Sequence, residues 1–216
     1  MTDPSPQGPI IECFPLGDYQ TNCYVVRSEA SCWIADVGFE PELLLERVLD
    51  LKLPVEAIVL THAHVDHIAG LFEARSALPG VPIWIHAAEK RWLSDPMLNL
   101  SAALGLRVTG PQPARLLNDN DTLSLAGEDW KVLHTPGHSP GGITLYHAKS
   151  AQALVGDALF NGSIGRTDFP GSDFDTLATS IRTRLYTLPD DTRVYPGHGP
   201  ATTIAHEKRT NPFVRP

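Results

Sequence analysis

The sequence lacks the features that mark membrane, nucleic-acid-binding or disulfide-rich proteins. No segment approaches the roughly 18 consecutive apolar residues that a bilayer-spanning helix needs, and residues 1–8 lack the basic and apolar regions of a secretory signal. The net charge is −8, and no basic run offers a surface to nucleic acid. Three cysteines, Cys13, Cys23 and Cys32, are too few for a disulfide framework. We therefore expect a cytoplasmic protein without nucleic-acid or membrane partners.

The composition that remains is typical of a turn-rich globular enzyme. The chain has 216 residues, of which 42% are hydrophobic, together with 17 glycines and 19 prolines. That length and apolar content are enough to bury a substantial core. No linker or low-complexity segment divides the chain, so we expect one domain over residues 1–216, with a core at about 9–206.

Short apolar segments alternate with helical patterns along the whole chain. The predicted strands are 10–14, 21–27, 32–37, 56–60, 81–85, 122–125, 130–134, 143–146, 153–155 and 193–195. The predicted helices are 41–51, 67–77, 87–93 and 173–188, the last with Asp173 as its N-cap and Pro189 as its stop. Strands lead in each half and helices are interspersed, which predicts a β-sandwich flanked by helices.

Three histidines and one aspartate follow the predicted strand 56–60 within six positions. They form the pattern His62-x-His64-x-Asp66-His67. On a turn such side chains can converge, whereas a straight strand would send alternate residues to opposite faces. Adjacent Asp66 and His67 fit one tetrahedral ion poorly together with the first two histidines. The pattern therefore predicts two cations, with His62 and His64 on the first and Asp66 and His67 on the second.

Three more metal-ligand residue types occupy similar positions further along the chain. His138, Asp157 and His198 each follow a predicted strand and each comes directly after a glycine. Glycine permits the positive φ or the close approach that crowded loops require. We therefore expect these three residues to join the first four at one edge of a sheet.

The other histidines and the cysteines carry no such pattern. The remaining histidines lie at or near predicted strand ends or in the C-terminal tail, and they are His86, His134, His147 and His206. The cysteines lie in N-terminal segments without CxxC spacing. We expect packing or surface roles for all seven side chains.

These residues resemble the metallo-β-lactamase superfamily, whose signature T-H-x-H-x-D-H matches residues 61–67. Within the superfamily the chain resembles the short bacterial glyoxalase II (hydroxyacylglutathione hydrolase) branch. The segment 156–171, Gly-Asp-Ala-Leu-Phe-Asn-Gly-Ser-Ile-Gly-Arg-Thr-Asp-Phe-Pro-Gly, carries most of this likeness, and residues 21–24 and 208–213 fit as well. The resemblance implies an α+β fold, a four-layer αββα sandwich with a dinuclear metal site at one edge.

The resemblance also implies a ligand set and a reaction. One metal would be held by His62, His64 and His138, the other by Asp66, His67 and His198, and Asp157 would bridge them. The two divalent cations are expected to be zinc, with iron or manganese as alternatives. A bridging hydroxide would hydrolyse a glutathione-derived thioester, S-lactoylglutathione, to glutathione and lactate in methylglyoxal detoxification. Asp66 would also orient the proton of the nucleophile.

Two departures from longer family members leave the substrate open. Only 18 residues follow His198, so we expect no C-terminal helical substrate domain. Arg166 and Asp168 stand where longer members carry a lysine and a tyrosine. Arg166 can bind a substrate carboxylate bidentately or can pair with Asp168 within the loop.

Three other reactions within the superfamily compete with thioester hydrolysis. A persulfide dioxygenase with one iron on His62, His138 and Asp157, and a lactonase, remain alternatives. A β-lactamase is disfavoured, because no export signal is present and Asp157 stands where many zinc β-lactamases carry cysteine.

Overall fold

Two six-stranded sheets form the centre of the molecule. The computed structural model describes residues 8–216. The first sheet has the order β1-β2-β3-β4-β5-β6, with strands β1 Ile10–Leu16, β2 Thr21–Arg27, β3 Cys32–Ala35, β4 Val55–Val59, β5 Ile83–His86 and β6 Arg115–Leu117. Its β1–β2–β3 part is antiparallel, and β3 to β6 run parallel.

The second sheet contains strands from the C-terminal half of the chain. Its strands are β7 Thr122–Leu125, β8 Glu128–His134, β9 Ile143–His147, β10 Gln152–Gly156, β13 Arg193–Pro196 and β14 Thr202–Thr203, in the order β14-β13-β10-β9-β8-β7. A separate hairpin pairs β11 Leu159–Phe160 with β12 Ser163–Ile164. Strands β10 and β13 are parallel, so their carboxyl ends meet at one edge.

Helices cover the outer face of each sheet. They are α1 Glu42–Leu51, α2 Val65–Ile68, α3 Leu71–Ala77, α4 Phe174–Ser180 (continued by a π-helical turn, Ile181–Leu185) and α5 Ile204–Thr210, with 3₁₀ turns at Ala87–Ser94, Ser101–Leu104 and Ala148–Ser150. Asp173 is the N-cap of α4, since its side chain accepts a hydrogen bond from the Thr176 amide at 2.7 Å. Within residues 8–216, no helix has both the length and the apolar character needed to cross a bilayer.

The alternation of side chains along buried strands produces the four layers. In β3, Ile34 packs into the cluster beneath α1 to α3, whereas Trp33 packs into the cluster between the sheets. In β10, Leu154 joins the same central cluster, and Ala153 joins the cluster beneath α4 and α5. Both faces of these strands are buried, which explains their continuous apolar runs. The predicted α+β sandwich of αββα layers is confirmed. The single domain over residues 1–216 stays a prediction.

The structure differs from the sequence prediction in several short elements. The single predicted helix 67–77 is two helices, because the Gly70 amide donates to Val37 O at 3.0 Å and the chain bends there. Strands β6, β11, β12 and β14 and helix α5 were not predicted. Each spans two to seven residues, too few to show a clear periodicity.

The two sheets meet at a pair of tryptophans. The rings of Trp33 and Trp130 have no solvent exposure and lie edge to face, with centroids 5.1 Å apart. Large apolar rings in this geometry are among the most stabilising core contacts.

We expect Trp130→Ala to lower the free energy of unfolding by about 3–5 kcal/mol, because it opens a cavity between the sheets. The matched control is Leu43→Ala on α1, whose side chain is 69% exposed and whose loss is expected to cost about 0.5 kcal/mol or less. Urea unfolding of both variants measures the difference. Equal losses in the two variants would contradict the assigned core.

Candidate metal centre

Four strand ends deliver polar side chains to one edge of the sandwich. Residues 61–67 follow β4, His138 follows β8, Asp157 follows β10 and His198 follows β13. The seven predicted ligands all lie in this cluster: His62, His64, Asp66, His67, His138, Asp157 and His198. The seven side chains that the sequence predicts to lie close together therefore do so in the structure.

The cluster divides into three overlapping groups of potential ligand atoms. Within each group these atoms lie no more than 4.8 Å from one another, and the groups are His62–His64–His138, His62–His67–Asp157 and Asp66–His67–His198. The first and third groups match the two ligand sets implied by the family resemblance. Within residues 8–216, none of the other four histidines belongs to such a group.

Asp157 lies between the two outer groups. Its Oδ1 is 3.4 Å from His67 Nε2, and its Oδ2 is 3.5 Å from both His138 Nε2 and His198 Nε2. One carboxylate is therefore close to ring nitrogens of both groups. This is the placement required of a residue shared by two cations.

Glycines allow the approach to Asp157 and His138. A Cβ added to Gly197 would lie 2.0 Å from Asp157 Oδ1, so any side chain there would occupy the carboxylate's position. Gly137 has a φ of +129°, a region that L-residues rarely adopt. The predicted reason for a glycine before the ligand is confirmed at these two positions.

Outward hydrogen bonds fix which nitrogen of the rings faces the cluster. The Nδ1 of His67 lies 2.8 Å from Asp36 Oδ2, that of His138 lies 2.8 Å from Arg166 O, and that of His198 lies 3.2 Å from Tyr19 O. Each Nδ1–H thus has an acceptor, and each Nε2 is left for the cluster. Metal-ligating histidines are oriented in this way.

Buried donor atoms of the cluster lack partners of their own. Among the residues that the structure describes, His62 Nε2, His64 Nε2, His67 Nε2 and Asp157 Oδ1 are buried and make no hydrogen bond. His64 Nδ1 faces His138 Nε2 at 2.8 Å, so two imidazoles point ring nitrogens at each other. Unpaired buried polar atoms are costly, and cations in the cluster would satisfy His62 Nε2, His67 Nε2 and Asp157 Oδ1, whereas His64 would bind through Nδ1, the nitrogen that faces His138. The donor set, of imidazole and carboxylate, therefore fits divalent metal ions.

The electrostatic environment differs between the three-histidine group and the group formed by Asp66, His67 and His198. Burial and the neighbouring His138 lower the pKa of His64 to about 3, and burial with His67 lowers the pKa of His62 well below its usual value. These imidazoles are neutral, the form that binds metal. Burial also favours neutral His67, but the carboxylates of Asp66 and Asp157 raise its pKa well above the usual value.

The Asp66 group therefore lies in a more negative field. Burial opposes the charge of Asp66, but His67 and His198 lower the pKa of its carboxyl, which keeps it ionised.

The segment 21–24, at the start of β2, contacts the group formed by Asp66, His67 and His198. Thr21 Oγ1 donates to Asp66 Oδ2 at 2.9 Å, and Asn22 Nδ2 donates to Pro196 O and Gly199 O, on either side of His198. Tyr24 Oη also donates to Pro196 O, at 2.6 Å. These contacts give the sequence Thr-Asn-Cys-Tyr a structural role, which is to hold the turn that carries His198.

Arg166, predicted to bind substrate, pairs within its own loop. It makes a bidentate salt bridge to Asp168, with Nε–Oδ1 at 2.9 Å and Nη2–Oδ2 at 2.8 Å. Its guanidinium also lies 4.2 Å from the ring centre of Phe169, a ring that contacts His64 and His138. Both charged side chains are about two-thirds exposed, so the pair lies at the surface beside the cluster.

Asp36 is a site residue that the sequence analysis missed. It follows β3 and accepts hydrogen bonds from the Thr61 amide at 2.7 Å, the Thr61 hydroxyl at 2.6 Å and His67 Nδ1 at 2.8 Å. It therefore orients both the start of the histidine turn and one ring of the cluster. An aspartate directly after a buried strand, as at Asp157, was the available signal.

The fold and the cluster together define a metallo-hydrolase. Residues 16–198 match the sequence model of the metallo-beta-lactamase superfamily. The chain belongs to the metallo-β-lactamase superfamily, and this confirms the family resemblance seen in the sequence. Members of this fold with such a histidine–aspartate cluster bind divalent metal ions.

Two curated relatives align over nearly their whole lengths. The "Probable metallo-hydrolase YqgX" of Bacillus subtilis is 40% identical over 201 residues, which are 93% of this chain and 95% of the relative. The "Hydroxyacylglutathione hydrolase GloC" of Haemophilus influenzae is 38% identical over 207 residues, 94% of this chain and 97% of the relative.

Two solved structures are similarly close. One, described as BLEG-1 B3 metallo-beta-lactamase, has a TM-score of 0.90 at 40% identity and covers 95% of this chain and 99% of its own. The other, TTHA1623 in a di-iron-bound form, has a TM-score of 0.84 at 41% identity and covers 94% of this chain and 100% of its own.

We expect Asp36→Asn to weaken metal binding by about 10–100-fold, because an amide has one acceptor oxygen and cannot accept from the Thr61 amide at one end and from the Thr61 hydroxyl and His67 at the other. Asparagine tolerates the left-handed backbone of this residue, whose φ is 60°, so the loop conformation is retained. Competition with a chelator measures the affinity. The control is Asp129→Asn, an exposed carboxylate that accepts from Ser124 on the neighbouring strand. Unchanged affinity in the first variant would remove Asp36 from the site.

Proposed function

We propose that this protein is a two-metal thioester hydrolase whose substrate class is S-acylated glutathione, with S-lactoylglutathione as the first candidate. The observation that carries the proposal is the convergence of seven histidine and aspartate side chains into two outer groups with Asp157 between them. The similarity to a hydroxyacylglutathione hydrolase over nearly the whole chain supports the substrate class.

In this proposal each outer group would hold one divalent cation. His62, His64 and His138 would hold the first, Asp66, His67 and His198 would hold the second, and Asp157 would be shared between them. When bound, the cations would supply an ionised water as nucleophile and Lewis-acid polarisation of the thioester carbonyl. Zinc is the expected metal, with iron and manganese as alternatives, and the di-iron form of a structural neighbour supports keeping iron among them.

Asp66 is the candidate catalytic side chain of the protein itself. Thr21 donates to its Oδ2, which leaves Oδ1 to accept a hydrogen bond from the attacking water and orient it. Because Asp66 stays ionised, it is not available as an acid for the leaving group. A thiolate, whose conjugate acid has a pKa of about 8.5, leaves without protonation, whereas an amide nitrogen needs a proton donor. The site therefore suits thioesters better than amides.

Arg166 is the candidate contact for a substrate carboxylate. Exposed ion pairs contribute about 0–1 kcal/mol, so a glutathione carboxylate can replace Asp168 at the guanidinium. The planar donor pair that now meets Asp168 presents the same geometry to an incoming carboxylate.

We expect the purified protein to carry two metal ions per chain and to hydrolyse S-lactoylglutathione, seen as loss of thioester absorbance. A chelator abolishes the activity and added Zn²⁺, Mn²⁺ or Fe²⁺ restores it. Asp157→Ala loses metal and turnover together, because one carboxylate serves both groups. Its control is Asp175→Ala, an exposed side chain in the first turn of α4, which keeps both. A metal-free wild type with full activity would refute the proposal.

Hydrolysis of a β-lactam is the second candidate, and the similarity to a structure described as a B3 metallo-beta-lactamase favours testing it. The same preparation is assayed with a chromogenic cephalosporin and with a panel of lactones.

An oxygen electrode with glutathione persulfide tests the one-iron dioxygenase alternative. Thioester turnover that exceeds the other rates by at least tenfold supports the proposed substrate class. A higher rate with any other substrate would reassign it.

We expect Arg166→Ala to raise the KM for S-lactoylglutathione about tenfold with little change in kcat, because it removes a contact that is equally strong in the bound substrate and in the transition state. Asp168→Asn is expected to lower KM, since it frees the guanidinium for the substrate. The control is Arg75→Ala on α3, an exposed arginine. Steady-state kinetics measure all three variants. If neither variant at the loop changes KM, Arg166 serves only to pair with Asp168.

A further inference from the structure

A carboxylate that the proposed reaction does not use lies fully buried behind the cluster. Glu89, in the 3₁₀ turn Ala87–Ser94, has no solvent exposure. Among residues 8–216 it forms no salt bridge with a cationic side chain, and burial raises its pKa. An uncompensated charge in this position is costly, so its contacts must offset that cost.

Glu89 accepts hydrogen bonds from two separate ligand loops. Its Oε2 accepts from the Ala63 amide at 2.6 Å, and its Oε1 accepts from the Gly141 amide at 2.7 Å. Ala63 is the residue between His62 and His64. Gly141 lies three residues after His138. One carboxylate thus joins the two segments that supply the three-histidine group.

The chain leaves no spare room around this contact. A Cβ added to Gly141 would lie 2.8 Å from Glu89 Cγ and 3.1 Å from its Oε1. The loop after His138 therefore packs directly on the side chain, and a shift of the carboxylate would move both loops. The Glu89 side chain therefore holds the two loops at a fixed separation.

The charge of Glu89 also complements a difference between the two groups. The group formed by Asp66, His67 and His198 contains a carboxylate of its own, whereas the three-histidine group contains only imidazoles. A cation held by neutral ligands is stabilised by nearby negative charge.

We infer that Glu89 is a positioning residue for the three-histidine group: it fixes the separation of the 62–64 turn and the His138 loop and supplies negative charge behind them. The inference rests on the proposed metal centre. It assigns no contact between Glu89 and the substrate. Loss of Glu89 weakens one metal site more than the other.

The test is cobalt binding to metal-free protein, followed by the visible absorption of bound Co²⁺ and by competition with a chelator. Glu89→Gln has nearly the same shape, but it removes the charge and places an NH₂ group against a backbone donor. We expect wild type to bind two Co²⁺ per chain. In the variant one equivalent binds about 10–100-fold more weakly and the other is unchanged within about threefold, with a matching change in the cobalt spectrum.

Three further variants separate positioning from folding. Glu89→Asp keeps the charge and is expected to retain part of the affinity. Gly141→Ala displaces the carboxylate without removing it and is expected to weaken the same equivalent. The control is Glu56→Gln, because Glu56 likewise accepts a backbone amide, from Ala126 at 3.0 Å, but lies at the start of β4, away from the histidine turn. Glu56→Gln is expected to bind cobalt as wild type does.

Thermal unfolding of the metal-free variants is measured alongside. If Glu89→Gln melts earlier but binds both Co²⁺ ions as wild type does, Glu89 is only structural and the inference is wrong. If Glu89→Gln does not fold, unchanged binding in Glu89→Asp and Gly141→Ala overturns it equally. A wild type that binds no cobalt instead refutes the metal centre itself, so the two failures are distinguishable.

Discussion

The fold has to offset the free-energy cost of burying many metal-ligand atoms close together. His64 Nδ1 and His138 Nε2 face each other at 2.8 Å, and Asp157 lies within 3.5 Å of three ring nitrogens. Without a cation, buried atoms of the cluster such as His62 Nε2, His67 Nε2 and Asp157 Oδ1 make no hydrogen bond, and their burial opposes folding of the region. The sandwich can keep them together because each follows a strand that packs into a core cluster, so no ligand loop can move without disturbing that cluster.

Buried hydrogen bonds behind the ligand side chains hold those side chains and their loops in position. Asp36 holds the start of the histidine turn and the ring of His67, whereas Thr21 and Asn22 hold Asp66 and the turn around His198. Glu89 joins two loops from the opposite side. Each group receives its hydrogen bonds from a different strand or turn. The site is therefore rigid because of connections between elements that are distant in sequence.

The difference between the ligand side chains and the hydrogen-bonding residues behind them explains what could be predicted from the sequence. The strand-then-turn pattern predicted the layers, the histidine spacing identified residues 62, 64, 66 and 67, and the position after a strand and a glycine identified His138, Asp157 and His198. The structure brings all seven together. Asp36 and Glu89 were missed because their partners are 25 or more residues away and are mainly backbone amides, which leave no motif. Helix α5 was missed because it has only seven residues, and its role in packing under the second sheet depends on tertiary contacts.

The buried charges bear on the number of cations. Asp36, Asp66, Asp157 and Glu89 all lie in or directly behind the cluster, and hydrogen-bond donors or imidazoles surround them. Burial opposes the charge of Asp66 and Asp157, but His67 and the other neighbouring imidazoles lower the pKa of both carboxyls, so both are ionised. Asp66 belongs to one outer group and Asp157 lies between the two outer groups, so a single ion in the three-histidine group would leave the largely buried Asp66 carboxylate without a cation, which is unfavourable. The distribution of charge therefore supports the proposed pair of cations over one ion on His62, His138 and Asp157.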